Sequence, residues 1–229
     1  MGKASVYGRL LCCSALLFGA LLCAQISAAA NLQSAVRAYN KAEQARKNGQ
    51  GAAALKLYGT AFRELSPLAK QGNAEAEALL GKMYLMGYGV LKDPAEAYTL
   101  FRAAGKQGNP DAEFFLGAPS ILHHQNVAQG MEWLKLSAEQ GNEDAQLLLG
   151  KTYLQGVAPE VRPDPVRADM WLRLASRDNL PFYKDQLVAA ERQMSAATVA
   201  KGRALAAAWK PKHGLRPPVA GKPGANPAR

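Results

Sequence analysis

An all-α protein built from stacked helix-turn-helix units is the fold class this sequence predicts, and three observations carry the prediction. The tripeptide Gln-Gly-Asn recurs at 71–73, 107–109 and 140–142, at intervals of 36 and 33 residues. Each copy leads into an Ala-containing run ending in Leu-Gly, AEAEALLG at 74–81, PDAEFFLG at 110–117 and EDAQLLLG at 143–150, so Gly81, Gly117 and Gly150 keep the same intervals. The second halves align too: DPAEAYTLFRAAGKQGN from Asp93 lies on NVAQGMEWLKLSAEQGN from Asn126 without gaps, and DPVRADMWLRLASRDN from Asp164 is one residue shorter. Self-similarity at a period of roughly 35 residues marks a repeat architecture, in which neighbouring units stack to bury a core that none could bury alone.

The first element, residues 1–30, is expected to be a cleavable secretory signal rather than part of the fold. Lys3 and Arg9 precede the apolar run Leu10 to Ala24, and Ser27-Ala28-Ala29-Ala30 supplies the small residues a signal peptidase accepts. The run is shorter than the roughly 20 residues a membrane-spanning helix needs, and no later stretch is apolar enough to span after cleavage. All three cysteines, Cys12, Cys13 and Cys23, fall inside it, so the chain from Asn31 onward contains none and its apolar core must hold it without disulfides. Cys12 and Cys23 each follow a leucine, which disfavours lipidation. The absence of an Asn-x-Ser/Thr acceptor after residue 30 tilts the expected location toward a bacterial periplasm or secreted protein.

Residues 31–73 read as a divergent first repeat, with LYGTAFRELSPLAKQGN leading into the first full copy at 74–109. In that copy and in the one at 143–180, Asp93-Pro94 and Asp164-Pro165 place a capping side chain before a proline whose missing N–H costs nothing at the first helical position. Asn126 stands in the same place in the middle copy. Gly72, Gly108 and Gly141 sit where a helix must stop in a left-handed turn, with Asn179 substituting at the end of the third copy. Ala76, Ala112 and Ala145 put small residues on one helix face and allow close approach.

The middle copy, 110–142, is shortened: GAPSILHHQN replaces GKMYLMGYGVLKD. Pro119 disfavours helix at Ala118, so the helix is expected to end near Gly117. Residues 118–126 then read either as a partner-binding notch or as repeat decay, and decay is favoured. Residues 181–209 read as closing helices, with Ser195 as an N-cap and Trp209 covering the last turn. Residues 210–229 read as a disordered basic Pro/Gly tail, too poor in large apolar residues to offset the entropy of folding.

The formal net charge is +10 and its placement is uneven. Between Asn31 and Glu191 there are 18 Lys/Arg and 18 Asp/Glu, whereas from Arg192 to Arg229 there are eight Lys/Arg and no acid. Catalytic signals are sparse. His123, His124 and His213 are the three histidines, adjacent histidines point apart, and no ligand-spaced cluster accompanies them, so no metal site is assigned. No serine sits in a nucleophile elbow, and GYGV at 87–90 lacks the lysine, strand and helix of a phosphate loop. The carboxylate pairs Glu75/Glu77 and Glu143/Asp144 open helices, where the dipole explains them without catalysis. Tyr84, Tyr98, Phe101, Trp133, Tyr153, Trp171 and Leu172 recur at helical spacing and read as core. No catalytic residue and no cofactor are assigned.

The pattern in residues 76–109, AxxxLGxxYxxGxGVxxDxxxAxxxFxxAAxxGN, resembles the Sel-one-like repeat, a relative of the tetratricopeptide helical repeats. The resemblance is strong at 74–109, good at 143–179 and partial at 110–142. It implies a right-handed α-solenoid with a C-terminal closing helix, working as a non-catalytic protein-interaction scaffold that holds a protein or peptide on its concave face. The alternative reading is electrostatic: the tail adsorbs the protein to an anionic polymer or lipid surface, each Lys/Arg adding about 1 kcal/mol near such a surface. Nucleic acid is not expected as a partner, because the tail lacks interleaved aromatics and the compartment is wrong.

Overall fold

The computed structural model describes residues 29–177 and 180–213. The signal segment except its last two residues, Asn179 as a helix end, and the tail from 214 onward lie outside the described residues. Among those described there are ten helices and no strand, with one isolated bridge between Val157 and Val161. They are α1 (29–47), α2 (Gly51–Lys70), α3 (Ala74–Met86), α4 (Pro94–Lys106), α5 (Pro110–Leu122), α6 (Val127–Glu139), α7 (Glu143–Gln155), α8 (Pro165–Ala175), α9 (Pro181–Glu191) and α10 (Ala196–Ala208). The chain divides into two compact units between Ala97 and Tyr98.

The first unit pairs α1 with α2 through a turn at 48–50 and lays α3 on α2. Its core alternates small and large side chains, with Ala35, Tyr39, Ala42, Tyr58, Ala61, Leu65, Ala76 and Met83 all buried. Three tyrosines knit it together: Tyr39 meets Tyr58 edge-on at 5.8 Å and Tyr88 stacks on Tyr58 at 4.7 Å. The Tyr58 hydroxyl donates to Glu43, which also pairs with Arg46 at 2.9 Å. Gly89, at φ +70°, passes so close that a Cβ there would lie 2.7 Å from Cβ of Tyr58. The GYGV run is therefore a packing device of this unit.

In the second unit α5 pairs with α6 and α7 with α8, while α9 and α10 pack on α8. Its core runs through Ile121, Met131, Leu134, Leu149, Tyr153, Trp171 and Leu174, all buried. Of the aromatic positions, Phe101, Tyr153 and Trp171 are buried, whereas Tyr84, Tyr98 and Trp133 are only half-buried. Where helices touch, the repeat glycines set the distance. A Cβ on Gly117 would lie 2.8 Å from the Gly130 carbonyl oxygen, and one on Gly150 would lie 2.6 Å from Cγ of Leu172.

The three Gln-Gly-Asn corners share one construction. Gly72, Gly108 and Gly141 adopt φ of +80°, +80° and +100°, a region open to glycine without steric cost. The following Asn donates its N–H back into the finished helix, Asn73 to Leu68, Asn109 to Ala104 and Asn142 to Ser137, each at 3.1 Å. Its side chain then accepts from the N–H of Ala76, Ala112 or Ala145 in the next helix, at 3.0, 3.0 and 2.9 Å. One residue thus closes the left-handed stop of one helix and caps the start of the next.

Asp93 caps α4, accepting from Ala95 and Glu96, and Asp164 caps α8, accepting from Arg167. Asn126 departs from this expectation. It holds φ +50° at the N-cap of α6 and its side chain makes no capping bond. The short connection 123–126, with His124 also at φ +54°, forces a left-handed backbone there that turns the side chain off the helix N-terminus.

Pro119 gives a second correction, because α5 runs on to Leu122 rather than stopping near Gly117. A mid-helix proline costs about 3 kcal/mol through its lost hydrogen bond and ring clash. The contact with α6 outweighs it: Gly117 lies against Gly130 and Leu134, and Ala118 and Ile121 are buried beyond it.

The end of the described chain is clamped. Asp169, fully buried on α8, accepts from Arg173 at 3.0 Å, and Arg173 also pairs with Glu191 of α9. Burial raises the Asp169 carboxyl above its ordinary range, against the lowering pull of Arg173. Gly202 of α10 lies directly over Asp169, where any side chain would collide. Ser195 caps α10, and Trp209 at its end sits edge-on to Trp171 at 6.5 Å with the Arg177 guanidinium 5.2 Å from its ring. The chain then crosses to α6, where Lys212 donates its backbone N–H to the Glu139 carbonyl at 2.7 Å and pairs its ammonium with the Glu139 carboxylate at 3.2 Å.

Candidate functional site

The connection from α7 to α8 builds the candidate site. It spans 156–164, two residues longer than the matching 87–93 connection of the first copy. Gly156, at φ +75°, ends α7, and a Cβ there would lie 2.9 Å from Pro163 Cδ. Val157 and Val161 exchange backbone hydrogen bonds of 2.8 and 2.7 Å and both bury their side chains, so the loop is a fixed arch. Its far end is pinned where the Asp164 N–H donates to the Tyr153 carbonyl at 2.7 Å.

Between this arch and α6, from Ala128 to Lys135, lies a cleft of about 490 Å³. Met131, Tyr153 and Val161 form its apolar floor and are buried. Glu132 and Lys135 from α6, with Glu160 and Arg162 from the arch, stand exposed around its mouth. Arg167 is held twice, 3.3 Å from the Asp164 carboxylate and with its guanidinium 5.6 Å from the Tyr153 ring centre. The volume falls within the range of small-ligand pockets. Apolar floor plus charges of both signs suits a short extended peptide segment, with an apolar side chain inserted and polar neighbours at the rim.

The residues singled out in the sequence divide between site and scaffold. Asp164 lines the cleft, and it does so while capping α8. Gly72, Gly108, Gly117, Gly141, Gly150 and Asp93 form turns, caps and close helix contacts, and Gly81 is buried within α3. In the 118–126 stretch α5 continues to Leu122 and residues 122–126 are exposed. His123 and His124 are exposed in the turn after α5, and among the described residues no three His, Cys, Asp or Glu side chains gather as metal ligands would. Glu75 and Glu77 lie in the first turn of α3, Glu143 and Asp144 in that of α7, and Asp144 accepts from the Tyr183 hydroxyl at 2.7 Å. No helix of the described residues is long and apolar enough to cross a membrane.

Sequence reasoning missed Met131, Glu132, Lys135, Glu160 and Arg162 as a group. The available signal was the two-residue excess of GVAPEVRPD over GYGVLKD, an insertion in a repeat connection, which is where such arrays place binding features.

A family model described as the Sel1 repeat matches residues 74–109, 110–142 and 143–180. Among solved structures, the chain is similar to c5321, a protective antigen present in uropathogenic Escherichia coli strains and displaying an SLR fold. The two are 25% identical with a TM-score of 0.55, over 66% of this chain and 34% of that one. A Sel1 repeat protein from Oxalobacter formigenes is 25% identical over 61% of this chain and 53% of that one, with a TM-score of 0.48. The chain therefore spans about a third of the length of the first and about half of the second. A search of curated proteins found no match.

Proposed function

Residues 74–180 are three Sel1 repeats, and from that footing we propose that this protein is a non-catalytic scaffold of the bacterial cell envelope that holds an extended segment of a partner protein in the cleft between α6 and the 156–164 arch. Repeats of this family make a helical protein-interaction scaffold; the cleft is our choice of seat, and the observation that carries it is the pairing of a buried apolar floor with mixed charges at the rim. The rim carries Glu132, Glu160 and Asp164 against Lys135, Arg162 and Arg167, so it favours neither a polyanion nor a polycation. Envelope location rests on the first thirty residues, whose charge, apolar run and small-residue end match a secretory signal.

The test is capture from periplasmic and membrane extract, at low and high salt, using three chains: residues 31–229, residues 31–209, and 31–229 carrying Glu132→Lys with Arg162→Glu. A protein retained at high salt by the first two and lost by the third supports the cleft. A protein retained equally by all three overturns it. The charge asymmetry after Glu191 favours a second reading, adsorption through the tail. That reading expects a salt-sensitive association that residues 31–209 lose, and intact-mass measurement of the exported protein, with a start near Asn31, checks the location.

A further inference from the structure

The junction between α5 and α6 is gripped by three side chains from the end of α6 and the corner after it. Ser137 donates to the Pro110 carbonyl at 2.6 Å, Asn142 to Asp111 at 2.7 Å, and Gln140 to Oε2 of Glu113 at 2.7 Å. Glu113 is fully buried, and its other oxygen, Oε1, is buried without a hydrogen-bond partner. An ionised carboxylate offers acceptors only, so a buried carboxylate with one oxygen unmatched carries a heavy desolvation cost.

The third copy shows one way this position is filled. Thirty-three residues on, its equivalent is Gln146, a neutral isostere that is also buried and whose Nε2 donates to the Ala138 carbonyl, eight residues earlier, at 3.0 Å. At the corner before Gln146, Ala138 also accepts from Gly141 at 3.0 Å, and at the corner before Glu113, Gly105 accepts from Gly108 at 2.9 Å in the same way. Thirty-six residues back from Glu113 the equivalent is Glu77, a carboxyl that is also buried, so it is the third copy alone that shows the site filled by a neutral donor aimed at the last turn of the preceding helix.

We propose that Glu113 is a proton-held latch: it is the neutral acid in the folded protein, uses its Oε1–H on the Gly105 carbonyl as Gln146 uses its amide on Ala138, and loosens the seat of α5 against the end of α4 when it ionises. The groups facing it are uncharged. Gln140 reaches it from α6, Gln146 of α7 is committed to Ala138, Asp111 on its own helix is taken by Asn142, and Glu139 is turned to Lys212. Burial raises its pKa to about 7, the Gln140 bond opposes this, and no charged neighbour contributes. The folded state therefore binds a proton that the unfolded chain, at the ordinary 4.5, has released. Its stabilising effect is complete below about 4.5 and is lost as pH rises through about 7.

Two measurements on the full chain test this. Carboxyl-carbon NMR of wild type, with the Glu113 resonance identified by its loss in Glu113→Gln, is expected to show titration near 7. Denaturant unfolding is expected to show the folding constant of wild type relative to Glu113→Gln falling by up to about tenfold per pH unit between roughly pH 5 and 7, then levelling. A Glu113 carboxyl titrating near 4.5 overturns the proposal, as does a wild-type to variant ratio equal at pH 5 and pH 8. Should the variant fail to fold, segmental labelling identifies the wild-type resonance, and its titration decides alone.

Discussion

Single residues set the tolerances of this fold, and the glycine at a helix contact differs from the glycine at a turn. Gly150 has helical backbone but no room, with Leu172 where its Cβ would stand. Gly150→Val is expected to destabilise the second unit by on the order of 3 kcal/mol, read as a shift of the denaturant midpoint, since overpacking a contact between helices forces backbone apart. A helical, cooperative variant of unchanged midpoint contradicts that role. Capping offers a sharper pair. Asp164→Ala removes a real cap and should cost about 1 kcal/mol, whereas Asn126→Ala, whose side chain caps nothing, should cost far less. The difference was not legible in the sequence, where both residues precede helices of matching register. What separates them is the backbone conformation imposed by a four-residue connection, a property of the neighbouring helices' placement rather than of the residue.

Elements were legible where local chemistry decides and illegible where packing does. The corners at 71–73, 107–109 and 140–142 announce themselves because a left-handed stop and a capping side chain need particular residues in sequence, although the double use of Asn73, Asn109 and Asn142 emerges only from the hydrogen bonds. The length of α5 is illegible in the sequence because the local cost of Pro119 is visible there and the contact of Gly117 with Gly130 on α6 is not. The closing helices depend on Arg173, whose i,i+4 partner Asp169 is visible in the sequence but whose reach to Glu191 on α9 is not. Arg173→Met strands Asp169 in the core and should destabilise the fold by about 3 kcal/mol, with the loss growing as pH rises because the carboxyl must then be protonated to stay buried. Pairing it with Asp169→Leu should recover much of that loss; urea unfolding at pH 5 and pH 8 measures both effects. The cleft belongs to the same class of hidden feature, since α6 and the 156–164 arch meet only in three dimensions.

For the whole molecule, the repeat period made the all-α class readable from sequence alone, and the match of residues 74–180 to the Sel1 repeat agrees with that reading. The C-terminal boundary is finer than composition suggests, because Lys212 is bonded to Glu139 and so belongs with the second unit. Truncation after His213 should leave the melting temperature unchanged, while truncation after Trp209 removes the Lys212 pair and should lower it by a few degrees at most, an exposed ion pair being worth about 1 kcal/mol or less. The shared corner has a consequence for how such a chain can change over time. Because one asparagine both finishes a helix and begins the next, every copy leaves and enters through the same chemical coupling, as carriages do. Removing residues 110–142 as a block would join Asn109 to Glu143 and reproduce the coupling at Asn142 without a new turn. Copy number can therefore drift by unequal exchange of whole units, while an insertion of one or two residues at a corner breaks both helices at once.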